Sequence, residues 1–347
     1  RRACRHVQKR VSRGTLRHAL RVLVQRGVLV TVPGRGTFVP GPERVRATEA
    51  NETRGLVTLV IPSIVRARNP ELIAGVEETL RRAGCSLVLA VSGDDSALEQ
   101  EQIERAVAHG GIGLILYAVD GPADAPAVRR LVSDGFPVTL IDRYLPDLEV
   151  DAVTMDNIGG AYLAVRHLLE QGRRRVGYVG TDNLGTSSIV ERLSGYRWAL
   201  RDHGGGIDET LVCASLRRLL AWPPREPEKQ RHNETVLRAY LGRTDRPDAV
   251  FVCNDYVAFE VVEVAESLGL RIPEDLALVG FDNVSYAHYS GVPLTTIDQP
   301  RHEIGALAAS LLLDRIAGRR THVGRVTVAS RLIVRRSSGA RASVAEA

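Results

Sequence analysis

The sequence predicts a two-lobed α/β core of doubly wound parallel sheets, carried behind a small basic head. Three observations point there. From Leu56 onward, short apolar runs alternate with amphipathic stretches, as strands joined by crossover helices do. Those runs lack a strict period of two, which is expected where helices cover both faces of a sheet. Residues 1–40 hold ten of the 46 Lys and Arg residues and none of the 41 Asp and Glu residues, leaving the remainder net acidic by five.

Within the head, Ser12 can cap a short helix. Leu16, Ala19, Leu20 and Leu23 then form one apolar stripe, and Arg13, Arg17 and Arg21 form a cationic one. Gly27 can stop that helix, and runs at 28–32 and 37–39 flank Pro33-Gly34-Arg35-Gly36 as a hairpin. A helix fits the major groove of DNA, and its first residues reach furthest toward the base edges. Ser12, Arg13, Gly14, Thr15, Arg17 and His18 are therefore the candidate readers. Arg35, between Gly34 and Gly36, can follow the phosphates because glycines let the main chain come close. A solvated helix face mixes its signs, whereas ten uncompensated positive charges suit a polyanion, so double-stranded DNA is the expected partner.

Residues 40–55 are polar and aperiodic, as a linker is. A first series follows, with strands at 56–61, 87–91, 112–116 and 138–141 and helices at 70–82, 96–108 and 125–134. The second series has strands at 176–179, 211–213, 249–252 and 276–279. Its helices are at 159–171, 189–202, 233–241 and 257–268. Two such units make a cleft between the carboxyl ends of their sheets. The stretch 294–300, a helix at 301–317 and strands within 323–334 would return to both lobes, ahead of a disordered tail at 336–347.

Composition narrows the function. No run approaches the roughly 18 to 20 apolar residues of a membrane span, and the expected compartment is the cytoplasm. Cys4, Cys85, Cys213 and Cys253 form no C-x-x-C pair, so neither a metal site nor a disulfide framework is expected. An enzyme would need a motif that is missing. There is no G-x-G-x-x-G after the first strands, no P-loop, no H-E-x-x-H and no G-x-S-x-G, and no cofactor is expected. The other alternative, a solute-binding protein of a transport system, leaves the acid-free head without a purpose.

Two resemblances sharpen this reading. Val11-Ser12-Arg13-Gly14-Thr15-Leu16-Arg17, Ala19-Leu20, Leu23, Gly27 and Gly34-Arg35-Gly36-Thr37-Phe38-Val39 resemble the second half of a GntR-type winged helix-turn-helix domain. The chain begins at Arg1 in what resembles the middle of that domain's second helix, so the domain is expected to be incomplete. Residues 56–335 resemble the sugar-sensing core of the lactose/galactose-repressor family, itself similar to periplasmic sugar-binding proteins. The matching residues are Asp156-Asn157 with Gly159-Gly160-Ala161, Glu191-Arg192 with Gly195-Tyr196, Cys253-Asn254-Asp255, Ile272-Pro273-Glu274-Asp275, Val279-Gly280-Phe281-Asp282 and Leu294-Thr295-Thr296-Ile297. A GntR-like head on such a core is the arrangement of the arabinose-repressor subfamily.

The resemblance implies a homodimeric repressor whose effector, a sugar or related small polar molecule, sits between two lobes. The first lobe would comprise 56–157 and 297–322, the second 158–296 and 323–335. Arg192 and Asp255 carry over as principal ligand residues. Asp142 and Asp282 each stand just past a strand and are placed to reach the cleft, Arg143 and Gln299 are further candidates, and Trp222 is a candidate stacking ring.

Overall fold

The computed structural model describes residues 30–32, 36–38, 55–64, 69–119, 126–219, 224, 226–288 and 291–339. Two units are separable, Arg1–Thr53 and Arg54–Ala347. In the first, β1 (Val30–Val32) pairs antiparallel with β2 (Gly36–Phe38), Val30 opposite Phe38 and Val32 opposite Gly36. The paired strands fall within the expected run at 28–32 and one residue ahead of that at 37–39. Ser12, Arg13, Gly14, Thr15, Arg17, His18, Gly34 and Arg35 lie outside the described residues, and Gly36 opens β2.

The second unit contains two six-stranded sheets. The first lobe is built from β3 (Leu56–Ile61), β4 (Ser86–Val91), β5 (Gly111–Leu116), β6 (Val138–Ile141) and β7 (Asp151–Met155), with β13 (Arg325–Val328) added late. Their order is β13-β7-β6-β5-β3-β4, and every pairing is parallel. The second lobe uses β8 (Val176–Thr181), β9 (Val212–Leu216), β10 (Ala249–Val252), β11 (Ala277–Asp282), β12 (Thr295–Asp298) and β14 (Arg331–Ile333). Here the order is β14-β12-β11-β10-β8-β9, and only the β12–β14 pair is antiparallel. Central strands such as β10, AVFV, are buried at every position, which explains their unbroken apolar runs.

The helices are α1 (Asn69–Arg82), α2 (Ser96–Ala108), α3 (Pro126–Ser133), α4 (Asn157–Glu170), α5 (Ser187–Asp202), α6 (Pro227–Leu241), α7 (Asp255–Ser267) and α8 (Arg301–Ile316). Local chemistry starts several of them. Asp95 accepts from the amides of Ala97 and Leu98 to cap α2, Asp156 caps α4 through Gly159 N, and Asn254 caps α7 through Val257 N. Among the described residues no helix is long and apolar enough to cross a membrane.

Three expectations change. Strand β7 is absent from the sequence reading because Asp151 and Thr154 interrupt its apolar run. Both polar side chains are nonetheless buried, and Asp151 is paired with Arg315 at 2.6 Å and Arg320 at 2.9 Å. The return segments also divide differently, for β12 belongs to the second lobe and β13 to the first. The chain therefore crosses between lobes after β7, between β12 and α8, and between β13 and β14. Finally, the core continues to Gly339. Ser337 and Ser338 are fully buried, with Ser337 Oγ accepting from Thr295 N and donating to Leu278 O, and Ser338 Oγ bonded to His167 Nε2.

Candidate functional site

In the two six-stranded sheets all strands but β14 run parallel, so the carboxyl ends of the strands gather side chains along one edge of each lobe. A narrow cleft opens there. The first lobe contributes Tyr117, just past β5, and Asp142-Arg143, just past β6. The second contributes Thr181 at the end of β8, Asn183, Thr186 and Ser188 around the start of α5, Ile189 and Arg192 within it, Arg218 after β9, Asn254 and Tyr256 after β10, and Asp282 at the end of β11. Arg301, first residue of α8, completes the lining.

Asp142 is the electrostatic centre of the first-lobe wall. Its carboxylate meets Arg301 at 2.8 Å and Arg143 at 3.6 Å. Burial opposes the charge, but Arg301, Arg143 and Arg192 outweigh it and hold the carboxyl below its usual range. Burial likewise works against Arg143, and Tyr117 and Asp142 lead the groups that offset it and keep the guanidinium charged. Arg143 lies 5.0 Å from the centre of the Tyr117 ring and donates to Val119 O at 2.8 Å.

In the opposite wall, Arg192 stacks 3.7 Å from the centre of the Phe281 ring. Its guanidinium donates to Asn157 Oδ1 at 3.0 Å and Cys253 O at 2.6 Å, and lies 3.5 Å from Asp282 Oδ1. Gln299 Nε2 donates to the same Asp282 oxygen. These contacts fix the plane of the fork before any ligand arrives, the preorganisation on which tight binding depends. Asp142 and Asp282 both have positive φ, 68° and 108°. A non-glycine side chain occupies that region only where the surroundings hold it, and such positions concentrate at ligand clamps.

The sequence candidates thus separate. Asp142, Arg143, Arg192 and Asp282 come together in the cleft. Gln299 is fully buried behind it and orients Asp282. Asp255 is also fully buried, outside the lining, with its oxygens taken by Thr296 Oγ1 at 2.7 Å and Val284 N at 3.0 Å. Gly280 leaves it room, since a Cβ there would stand 2.2 Å from Asp255 Oδ1. Desolvation, together with repulsion from Asp282, pushes its carboxyl up to about 7. Trp222 lies outside the described residues.

Several lining residues escaped the sequence reading. Asn254 has the right address, two residues after β10, but its capping role hides the second one. Tyr117 and Arg218 follow β5 and β9 by one and two residues, a strand-end position that applied to every strand would have selected. Arg301 is a helix residue 159 positions from the aspartate it pairs with, and no local signal joins the two.

Residues 165–338 match the model of the periplasmic binding protein-like domain. The arabinose metabolism transcriptional repressor of Geobacillus stearothermophilus is 33% identical over 339 residues, covering 95% of this chain and 88% of that protein. The transcriptional repressor CytR of Escherichia coli K12 is 29% identical over 87% of this chain and 84% of its own length. Among solved structures, a complex of the transcriptional regulator CelR with cellobiose superposes with a TM-score of 0.70 at 29% identity, covering 94% of this chain and 92% of that one. A LacI-family regulator from Enterococcus faecium with bound ribose gives 0.66 at 25% identity, covering 81% and 98%. With likeness to repressors running nearly end to end, and a two-lobed core whose cleft gathers fixed arginines and aspartates, this chain belongs to the lactose/galactose-repressor (LacI/GalR) family of transcriptional regulators, not to an enzyme family.

Proposed function

We propose that this regulator is a homodimeric repressor that binds operator DNA through a winged helix-turn-helix head and releases or tightens it as a small sugar occupies the cleft. The observation that carries the effector assignment is the pairing of guanidinium and carboxylate groups across one narrow space: Arg143 and Asp142 on one wall, Arg192 and Asp282 on the other. Each fork can donate to two adjacent hydroxyls and each carboxylate can accept from two, which is how a polyol is recognised. Tyr117 and Tyr256 offer rings for the apolar face of a sugar. Relatives solved with cellobiose and with ribose support the same class. Asp255 is read as the support that holds the loop after β11, and Asn254 takes the ligand-facing place beside it.

The head assignment rests on the ten basic, acid-free residues of 1–40 and the paired β1–β2 hairpin. The test is a thermal-shift screen of the full chain against pentoses, hexoses and disaccharides, because a ligand that binds only the native state raises its melting temperature. A sugar that stabilises the protein should bind Arg192→Ala at least roughly thirtyfold more weakly, and the melting-temperature rise should need correspondingly more sugar. Removing one partner of a desolvated charged hydrogen bond costs about 2 to 5 kcal/mol. Operator binding without sugar should persist in that variant. Equal sugar affinity in Arg192→Ala and Asp282→Asn would remove the cleft as the effector site.

A further inference from the structure

One contact in the cleft reaches from lobe to lobe without needing a ligand. Asp94 stands three residues beyond β4 in the first lobe, and Arg218 stands two residues beyond β9 in the second. Each of those strands is the outermost of its sheet. The three chain crossings leave from β7, β12 and β13, the last arriving at β14, and all of these strands lie at or near the opposite edge of each sheet. The hinge is therefore at one side of the cleft, and Asp94 and Arg218 meet at the other.

Arg218 Nη2 lies 3.0 Å from Asp94 Oδ1, with the two side chains only 16% and 5% exposed. Arg218 Nη1 also donates to Val119 O of the first lobe at 3.2 Å. That acceptor is held in place, for Val119 N donates to the buried Glu99 carboxylate at 2.7 Å and Val119 O accepts from Arg143 as well. Asp94 has φ 62°, so Asp94, Asp142 and Asp282, the three acidic partners of the cleft arginines, all share the left-handed backbone otherwise found, among the described non-glycine residues, only at Asn283.

We propose that Asp94 and Arg218 form a latch that closes the effector cleft at its mouth and sets how much of the ligand-free protein is in the closed state. A rotation about the hinge displaces atoms in proportion to their distance from it, so a bond at the far edge is broken by the smallest opening. Shielding from solvent makes the pair worth more than a surface ion pair, and losing one partner leaves the other charge buried and uncompensated. Arg218 also lines the cleft, so an effector that draws on its guanidinium competes with or reinforces the same closure. Apparent effector affinity is scaled by the fraction of protein already competent to bind, which makes the latch a setting on sensitivity. Arg218 is thus a positioning residue of the response. This consequence for sensitivity rests on the effector reading above; the latch itself does not.

The test is a pulsed-EPR distance measurement on the full chain without any sugar. Spin labels go on Ala97→Cys in α2 and Glu228→Cys in α6, exposed positions near the mouth in opposite lobes, with Cys4 replaced by Ser. Asp94→Asn and Arg218→Gln should each shift the distance distribution to longer values. The exchange Asp94→Arg with Arg218→Asp should bring it back toward wild type, a recovery that a general packing defect would not show. Unchanged distributions in both single variants, or an exchange no closer to wild type than either single change, would overturn the latch. Arg218→Lys, which keeps the charge and loses the fork, serves if Arg218→Gln folds poorly, and it should open the mouth only in part. No sugar enters this measurement, so its failure sinks the latch alone, and a sugar screen without any hit sinks the effector reading alone.

Discussion

Asp255 and Asp282 are both aspartates at the carboxyl ends of neighbouring strands, and their surroundings give them different work. Asp282 faces Arg192 across 3.5 Å and lines the cleft, whereas Asp255 is enclosed and spends its oxygens on Thr296 and Val284. A carboxyl at about 7 in the folded chain and 3.8 when unfolded binds its proton more tightly in the folded state. Stability from this group is therefore greatest at low pH, declines as pH rises from about 4 to 7, and changes little above that. Asp255→Asn should remove this decline, so its urea midpoint should gain on wild type between pH 5 and pH 8. A constant difference between the two proteins across that range would show that Asp255 does not titrate as described. Sequence alone could not separate these aspartates, because each follows an apolar run within a family motif, and only the direction of the side chain differs.

At the scale of elements, α8 decides where Arg301 sits, and α8 is positioned by contact with α1. The two helices approach so closely that a Cβ at Gly305 would stand 2.2 Å from Leu72 O, and one at Gly75 2.1 Å from His302 O. Both obstacles are backbone and cannot swing aside. Gly305→Ala would gain about 1 kcal/mol of helix propensity if exposed, yet here overpacking should dominate at about 1 to 3 kcal/mol. The expected result is a lower urea midpoint together with weaker sugar binding, since a displaced α8 carries Arg301 away from Asp142. A midpoint equal to or above that of wild type would show that the helices can separate without cost. Most elements were legible from periodicity, with ends off by a few residues. Strand β7 was not, because its buried Asp151 is satisfied by α8 and the loop after it, partners more than 160 positions away.

For the whole molecule, the charge is partitioned with the fold. The basic residues of 1–40 belong to the unit ending at Thr53, and the net acidic remainder belongs almost wholly to the core. A core beginning at Arg54 should keep its sugar-dependent thermal shift and lose operator binding. Intact protein should lose operator affinity steeply with added salt, because each phosphate contact releases counterions. Specific retardation of operator by the core alone, or a flat salt response of the full chain, would contradict a DNA-binding head.

The sequence by itself determined the two-unit layout, the parallel sheets, and four of the residues that meet in the cleft, because burial pattern, charge count and strand-end position are local properties. It also carried the family, through motifs that each span a few residues. Only the tertiary structure decided which aspartate faces the cleft and which is enclosed, that Arg301 completes the first wall, and that Asp94 meets Arg218 at the edge away from the hinge. Those pairings join positions 159 and 124 apart, and their partners are chosen by the order of strands in the two sheets, which no window of sequence contains.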